Sequence, residues 1–159
     1  MSVRRLAADA VVIVITVAIM LIGSTPAFAA PSCTISTTSM AFGTYDVFSP
    51  SDVTSTATIT YRCTGAAQDV FITLSKGQSV TFSPRTMNTG TNVLSYNLYQ
   101  NAAFSVIWGD GTGGSQAYVT TGKTPNNTDF FVTIYGKVPA LQDASAGSYT
   151  DTIVATINF

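Results

Sequence analysis

Apolar and polar residues alternate with a period of two over much of this 159-residue chain, and this alternation restricts the fold more than any other feature. Between Thr56 and Cys63 every second residue is apolar, whereas the residues between them are threonines and Arg62. Successive side chains of a β-strand point to opposite faces of the sheet, so the pattern predicts a half-buried strand. Similar runs occur at residues 69–74, 93–99, 104–108, 129–138 and 149–159.

Turn-forming residues separate these runs. Gly109-Asp110-Gly111 and Pro125-Asn126-Asn127 are examples, and no window after the N-terminal segment keeps a helical period. Short strands divided by such turns are typical of a β-sandwich or barrel. A chain of this length forms one domain, so we predict a single all-β domain over residues 30–159.

The first thirty residues differ in character from the rest. Arg4 and Arg5 precede an apolar run that ends at Ile22, and the small residues Ala27 and Ala29 follow. This order is typical of a secretory signal peptide, which we predict to be residues 1–29, cleaved after Ala29. The alternative is an uncleaved anchor, but an apolar run of about a dozen residues is short of the roughly 20 needed to span a bilayer. We therefore expect no membrane insertion of the mature chain.

Two cysteines, Cys33 and Cys63, follow the predicted cleavage site. Exported proteins meet an oxidising environment, so we predict a disulfide between them. A metal site is the weaker alternative, because two cysteines in a chain without histidine would need carboxylates to complete four zinc ligands.

Composition restricts function in two ways. The chain has no histidine and no glutamate, which rules out Ser-His-Asp and Cys-His catalytic arrangements. Removing residues 1–29 leaves five cations against seven aspartates, a net charge of about −2 with no cluster of Lys or Arg. We therefore predict no enzyme activity, no catalytic, cofactor or metal site, and no nucleic-acid partner.

Two features suggest other ligands. Asp110 lies in a glycine-rich segment, 108–114, that could hold calcium, although a hairpin turn stabilised by the aspartate explains the same residues. Six aromatic residues could form a sugar-stacking surface, although aromatics in strands more often pack in the core. They are Phe42, Tyr45, Tyr61, Tyr96, Tyr99 and Trp108.

A series of short motifs occurs in a fixed order along the chain. In addition to the two cysteines they are Met40-Ala41-Phe42-Gly43-Thr44-Tyr45, Gly77, Arg85-Thr86-Met87, Leu94-Ser95-Tyr96-Asn97-Leu98-Tyr99, Trp108-Gly109-Asp110-Gly111, Tyr135-Gly136-Lys137-Val138-Pro139, Gly147-Ser148-Tyr149-Thr150-Asp151 and Asn158-Phe159. In this order they resemble the spore coat protein U domain family, over the whole predicted mature chain. That family is similar to the pilins of archaic chaperone–usher secretion.

The resemblance implies an immunoglobulin-like β-sandwich that lacks its final strand. It also implies a periplasmic chaperone that supplies the strand, an outer-membrane usher, and other pilus or coat subunits as partners. The implied function is a structural subunit of a surface fibre (pilus) or coat, secreted through the periplasm and assembled by donor-strand exchange. The alternative is a stand-alone secreted adhesin or carbohydrate-binding module.

Strand exchange needs an open edge, and the terminal strand is the obvious candidate. Ile153, Ala155, Ile157 and Phe159 share one face of it. We expect these residues to line the acceptor groove, with the chaperone docking near Phe159. The alternative is that they are core residues of a complete sandwich.

The segment before the first cysteine carries a further expectation. A donor segment needs about ten alternating residues to span a groove at 3.3 Å each. Cleavage after Ala29 would leave only Ala30, Pro31 and Ser32 before Cys33. This predicts a chain that accepts a strand without donating one, as at the tip of a fibre or in a coat.

Overall fold

The computed structural model describes residues 30–65, 69–120, 122 and 124–159. The predicted signal peptide lies outside these residues. The described chain is all-β without helices, as the alternation predicts, and it has eight strands. They are β1 (Ser32–Thr37), β2 (Val53–Thr64), β3 (Phe71–Leu74), β4 (Arg85–Thr89), β5 (Asn92–Tyr99), β6 (Tyr118–Val119), β7 (Asp129–Val138) and β8 (Ala155–Asn158).

The strands form two antiparallel sheets of unequal size. The larger sheet has the order β1-β2-β7-β5-β4, and the smaller has the order β6-β3-β8. β2 pairs with β7 along the whole of β7, from Val53 opposite Val138 to Arg62 opposite Asp129. This long pairing forms the centre of the larger sheet.

The core lies between the two sheets and follows the predicted alternation. In β2 the buried residues are every second one from Ala57 to Cys63, and Ile72 and Leu74 of β3 are buried in the smaller sheet. Other members come from β4, β5, β7 and the loops: Val70, Met87, Leu94, Tyr96, Leu98, Trp108, Ile134 and Val138. The sequence therefore predicts correctly which face of each long strand is buried.

The strand order matches that of an immunoglobulin-like sandwich with one position empty. Constant-type immunoglobulin domains have strands A, B, E and D in one sheet and C, F and G in the other. Here β1, β2, β7 and β5 have the positions of A, B, E and D, while β3 and β8 have those of C and F. No described strand has the position of G beside β8. The predicted incomplete immunoglobulin-like sandwich is confirmed.

The predicted disulfide is present. Cys33 and Cys63 are directly opposite one another in the β1–β2 pair, with their Cα atoms 4.1 Å apart. β1 is an edge strand of the larger sheet, so the bond joins that edge covalently to its neighbour β2.

Two predicted strands differ in the structure. Residues 101–104 form a turn, with Phe104 at φ 52°, and only isolated bridges follow it, at Ile107 and Trp108. The reason is local, since the Asn101 side chain accepts hydrogen bonds from the backbone N–H groups of Ser105 and Val106 and so competes with strand pairing.

The predicted final strand, residues 149–159, is shorter than expected. Ordered pairing is confined to β8, and Thr150 forms a single bridge with Asn88. Side chains hold the residues between them, because the Asp151 carboxylate accepts the N–H of Gln78 and the Ser75 hydroxyl accepts the N–H of Val154.

A buried arginine links the two sheets. Arg85 of β4 is completely buried, and its guanidinium donates to the backbone oxygens of Ser75 and Trp108 and to the side-chain oxygen of Asn97. Asn97 belongs to β5 in the larger sheet, whereas Ser75 directly follows β3 in the smaller one. Burial lowers the pKa of Arg85, and the nearby Tyr96 and Asp151 oppose that shift.

The indole of Trp108 reinforces this link. Trp108 is completely buried, and its Nε1 donates to the Ile72 backbone oxygen at 2.9 Å while its own backbone oxygen accepts from Arg85. Its ring lies 5.6 Å from that of Tyr118, between centroids. Trp108 therefore connects β3 to the arginine.

Removing the disulfide should destabilise the domain. Its cysteines are 30 residues apart, and in the chain-entropy model closing such a loop stabilises the fold by roughly 3–4 kcal/mol. We expect the double variant Cys33→Ser, Cys63→Ser to unfold at a lower urea concentration and to accumulate poorly in the periplasm. Reduction of the parent protein should give a similar shift, and an unchanged midpoint would contradict the role given to this bond.

Replacing the buried arginine should also be costly. We expect Arg85→Lys to lower the free energy of unfolding by about 2–4 kcal/mol, because one ammonium nitrogen with three donors cannot reproduce the four hydrogen bonds that the planar guanidinium makes to Ser75, Asn97 and Trp108. Urea denaturation measures this loss. The matched control is Arg62→Lys, in an exposed ion pair with Asp129, and it should leave the midpoint nearly unchanged. Equal effects of the two substitutions would refute the assignment of Arg85 as the link between the sheets.

Candidate functional site

The two sheets leave one side of the sandwich open. β1 is at one end of the larger sheet and β8 at one end of the smaller, and the two strands lie close together without pairing. Each therefore presents a row of backbone N–H and C=O groups that no described strand pairs with along this side. Such edges are templates for an added strand.

A cavity of about 380 Å³ lies behind this opening. Its apolar wall comes from both sheets: Met40, Phe42, Ala57, Leu74, Met87, Tyr96, Leu98, Ile134, Ile153 and Ala155. Hydroxyl-bearing residues at the end of β1, Thr37 to Ser39, and the segment from Thr150 to Thr152 form the polar part of its rim. The cavity is thus an apolar groove bordered by strand edges.

The chain after β1 forms one wall of this groove. Met40 and Phe42 lie over Gly136 of β7, where a Cβ atom would collide with the Met40 sulfur and come within 2.7 Å of the Phe42 ring. Phe42 also packs edge-on against Tyr96, with 5.9 Å between ring centroids. The absence of a side chain at position 136 therefore allows both residues to reach the inner face of the larger sheet.

A second, larger cavity of about 810 Å³ also borders this wall. Met40, Phe42, Met87 and Tyr149 line both cavities, so the two are neighbours along the same side of the molecule. Together they form what we call the groove.

The residues predicted to line the groove are only partly brought together there. Ile153 and Ala155 line the first cavity, and Ile157 packs against the core on the same face of the chain. Phe159 lies beyond the end of β8, is 49% exposed and lines neither cavity. Ile153, Ala155 and Ile157 share one face, as the alternation predicts. Their role in binding stays a prediction.

Sequence reasoning missed the polar residue at the start of this row. Asp151 points to the same side of the chain as Ile153 and Ala155, and like them it lines the first cavity. There its Oδ2 accepts a hydrogen bond from the Tyr96 hydroxyl at 2.6 Å. Burial raises the pKa of Tyr96, and the hydrogen bond to Asp151 raises it further, so the phenol stays protonated as the donor. Asp151 lies two residues before Ile153 in the sequence, and this spacing alone could have predicted that it shares the inward face.

The other candidate ligand sites have structural explanations. Asp110 accepts hydrogen bonds from the backbone N–H and the hydroxyl of Thr112, as expected for a turn-stabilising aspartate. These bonds lower its pKa. Among the residues described, no three metal-ligating side chains of His, Cys, Asp or Glu cluster together.

The aromatic residues are used mainly in packing. Tyr61, Tyr96 and Trp108 are buried, while Phe42 and Tyr45 pack against the core. The Tyr45 hydroxyl donates to the Pro139 backbone oxygen. Tyr99 is half-buried and packs edge-on against Phe104, with 5.5 Å between ring centroids, so all six are buried or half-buried.

The part of the chain that the structure describes contains no helix long and apolar enough to cross a bilayer. The groove is the feature of the described residues that most needs a functional explanation. Its chemistry is that of binding: an apolar interior takes alternate side chains, and the free strand edges pair with a backbone.

Comparisons with known proteins agree with this geometry. The chain is 31% identical to Protein U of Myxococcus xanthus over 131 residues, which cover 74% of this chain and 70% of that protein. Its fold is similar to that of a chain in the crystal structure of the CsuC-CsuE chaperone–tip adhesion subunit pre-assembly complex, from archaic chaperone–usher Csu pili of Acinetobacter baumannii. That match has a TM-score of 0.57 and 23% identity, and it covers 82% of this chain but 40% of the solved chain.

A family model gives the most extensive match. The model of the Spore Coat Protein U domain matches residues 18–156, which include every strand except the last residues of β8. The resemblance carried by the sequence motifs is confirmed, and the chain belongs to the Spore Coat Protein U domain family.

Proposed function

We propose that this protein is a structural, non-enzymatic subunit of a bacterial surface fibre or coat, and that it accepts a β-strand from another protein in its groove. The observation that carries the proposal is the pair of unpaired edges, β1 and β8, on either side of an apolar cavity. A single extended segment placed there would pair its backbone with β8 and direct alternate side chains into the cavity.

The energetics favour such an occupant. Exposed strand edges and apolar grooves promote aggregation, and proteins usually cover them. Burying three medium-sized apolar side chains contributes roughly 5 kcal/mol before the cost of ordering the segment is subtracted. A strand at this position would therefore complete the sandwich and cover a strand edge that otherwise promotes aggregation.

The partners follow from the family and the fold. A periplasmic chaperone would occupy the groove first, an outer-membrane usher would receive the complex, and a strand of another subunit would replace that of the chaperone. The fold shared with a chain of a chaperone–subunit complex supports this sequence of partners. The predicted signal peptide supports export through the periplasm to the cell surface.

Four residues are the proposed acceptor residues: Ile153, Ala155, Ile157 and Phe159. For Ile153 and Ala155 the support is direct contact with the cavity, and for Ile157 it is the shared face. Phe159 is proposed for chaperone docking at the exposed end of β8 rather than for lining the interior.

An added strand should stabilise the chain. We would append to Phe159 a four-residue turn and a nine-residue segment whose inward positions are valine and whose outward positions are threonine. Nine residues span about 30 Å. A net gain of a few kcal/mol corresponds to a rise of about 10 °C in the melting temperature for a domain of this size. The control places serine at the inward positions, and equal melting temperatures for the two fusions would contradict the proposal.

Filling the groove should block the chaperone. We expect the parent chain to form a soluble one-to-one complex when co-produced in the periplasm with the chaperone of its own assembly system. Ala155→Phe places a ring in the cavity and should abolish the complex, whereas Thr156→Phe, on the exposed face of β8, should not. A protease-resistant monomer formed equally well without the chaperone would overturn this part of the proposal.

A further inference from the structure

The chain that leads into β8 is anchored at Asp151. The two oxygens of this carboxylate face different parts of the molecule: Oδ2 accepts from the Tyr96 hydroxyl at 2.6 Å, and Oδ1 accepts from the backbone N–H of Gln78 at 2.9 Å. Tyr96 belongs to β5 of the larger sheet, whereas Gln78 lies in the loop after β3 of the smaller one. One side chain therefore fixes the start of the acceptor edge to both halves of the sandwich.

The loop around Gln78 is shaped to fit this carboxylate. Gly77 has φ +65°, and a Cβ atom on it would collide with the Asp151 carboxylate, so only glycine allows the approach. The Gln78 side chain adds a second contact, since its Nε2 donates to the backbone oxygen of Thr150 at 3.2 Å.

The residues immediately after Asp151 are held in the same way. Ser75 exchanges two hydrogen bonds with Val154: its backbone N–H donates to the Val154 oxygen at 2.9 Å, and its hydroxyl accepts the Val154 N–H at 3.0 Å. The backbone oxygen of Ser75 in turn accepts from the buried Arg85. The entry to β8 is thus connected to the arginine that links the sheets.

This anchoring places the inward row of side chains. Asp151, Ile153 and Ala155 all line the first cavity, and Asp151 is the polar residue at the end of that row. Because side chains alternate strictly along an extended chain, fixing Asp151 fixes the depth and facing of Ile153 and Ala155. A shift of one residue would turn the exposed Val154 into the groove and the two apolar residues out of it.

We propose that Asp151, held by Tyr96 and Gln78, is the positioning residue of the strand-acceptor groove: it orders the free edge of β8 in the register that an incoming strand requires. This inference rests on the proposed function and adds a mechanism to it. An edge that is already ordered reduces the entropy lost when a strand binds, so Asp151 contributes to strand acceptance in addition to the stability of the chain.

The test compares the stabilisation by the appended strand in different backgrounds. For each variant, the increment is the melting temperature of the valine fusion minus that of the same chain without the fusion. We expect Asp151→Ala and Tyr96→Phe to reduce this increment by at least half. The matched controls, Asp129→Ala in the exposed pair with Arg62 and Tyr135→Phe on the outward face of β7, should keep the full increment.

A purely structural role gives a different result. If Asp151 only stabilised the fold, its replacement would lower both melting temperatures equally and leave the increment unchanged, which would overturn the inference. Tyr96→Phe removes one hydroxyl and keeps the ring, so it provides the measurement if Asp151→Ala does not fold. An absence of any increment in the parent chain would instead count against the proposed function, so the two failures are distinguishable.

Discussion

Backbone hydrogen bonding at a sheet edge is the constraint on which the rest of this structure depends. Five strands form one sheet and three the other, so the larger sheet has more inner face than the smaller one covers. Met40 and Phe42 cover part of the inner face that the smaller sheet leaves exposed, and they can do so because Gly136 leaves room for them. What they leave uncovered is the groove, bordered by edges whose polar groups need a partner or water.

An open groove requires that the surrounding walls do not collapse into it. A purely apolar interior could relax to fill the space, since hydrophobic contacts have no direction. Arg85 opposes this relaxation, because its hydrogen bonds to Ser75, Asn97 and Trp108 are directional and hold the sheets at a fixed separation. Asp151 has the corresponding role at the entry to β8. Buried polar groups that are fully satisfied can specify one arrangement of a core in this way.

The sequence predicts much of the fold because the long strands are half-buried. The alternation in β2 and β7 identifies the inward residues. The predicted signal peptide implies an oxidising environment, and this predicts the bond between Cys33 and Cys63. The short strands were less predictable. β6 has two residues, too few for a period to be recognised, and β4 has only one apolar residue, Met87, among its five. At residues 104–108 the Asn101 side chain accepts backbone hydrogen bonds from Ser105 and Val106, and the predicted strand is reduced to isolated bridges.

The candidate site was predictable in part for the same reason. The alternation of residues 149–159 correctly places the side chains of Ile153, Ala155 and Ile157 on one face. It could not give the opposite wall, since Met87, Tyr96 and Ile134 come from strands distant in sequence. The missing strand was inferred from family resemblance, and only the topology of the two sheets locates its position beside β8.

The position of the disulfide has a mechanical consequence. An edge strand held only by hydrogen bonds can be peeled away one bond at a time when its end is pulled. Cys33 is the second residue of β1, and its bond to Cys63 transfers a pull on the N-terminal side directly into β2. β2 is paired with β7 along its length, so the load is shared by many hydrogen bonds acting in parallel. Tension would therefore bypass β1 and leave this border of the groove in place.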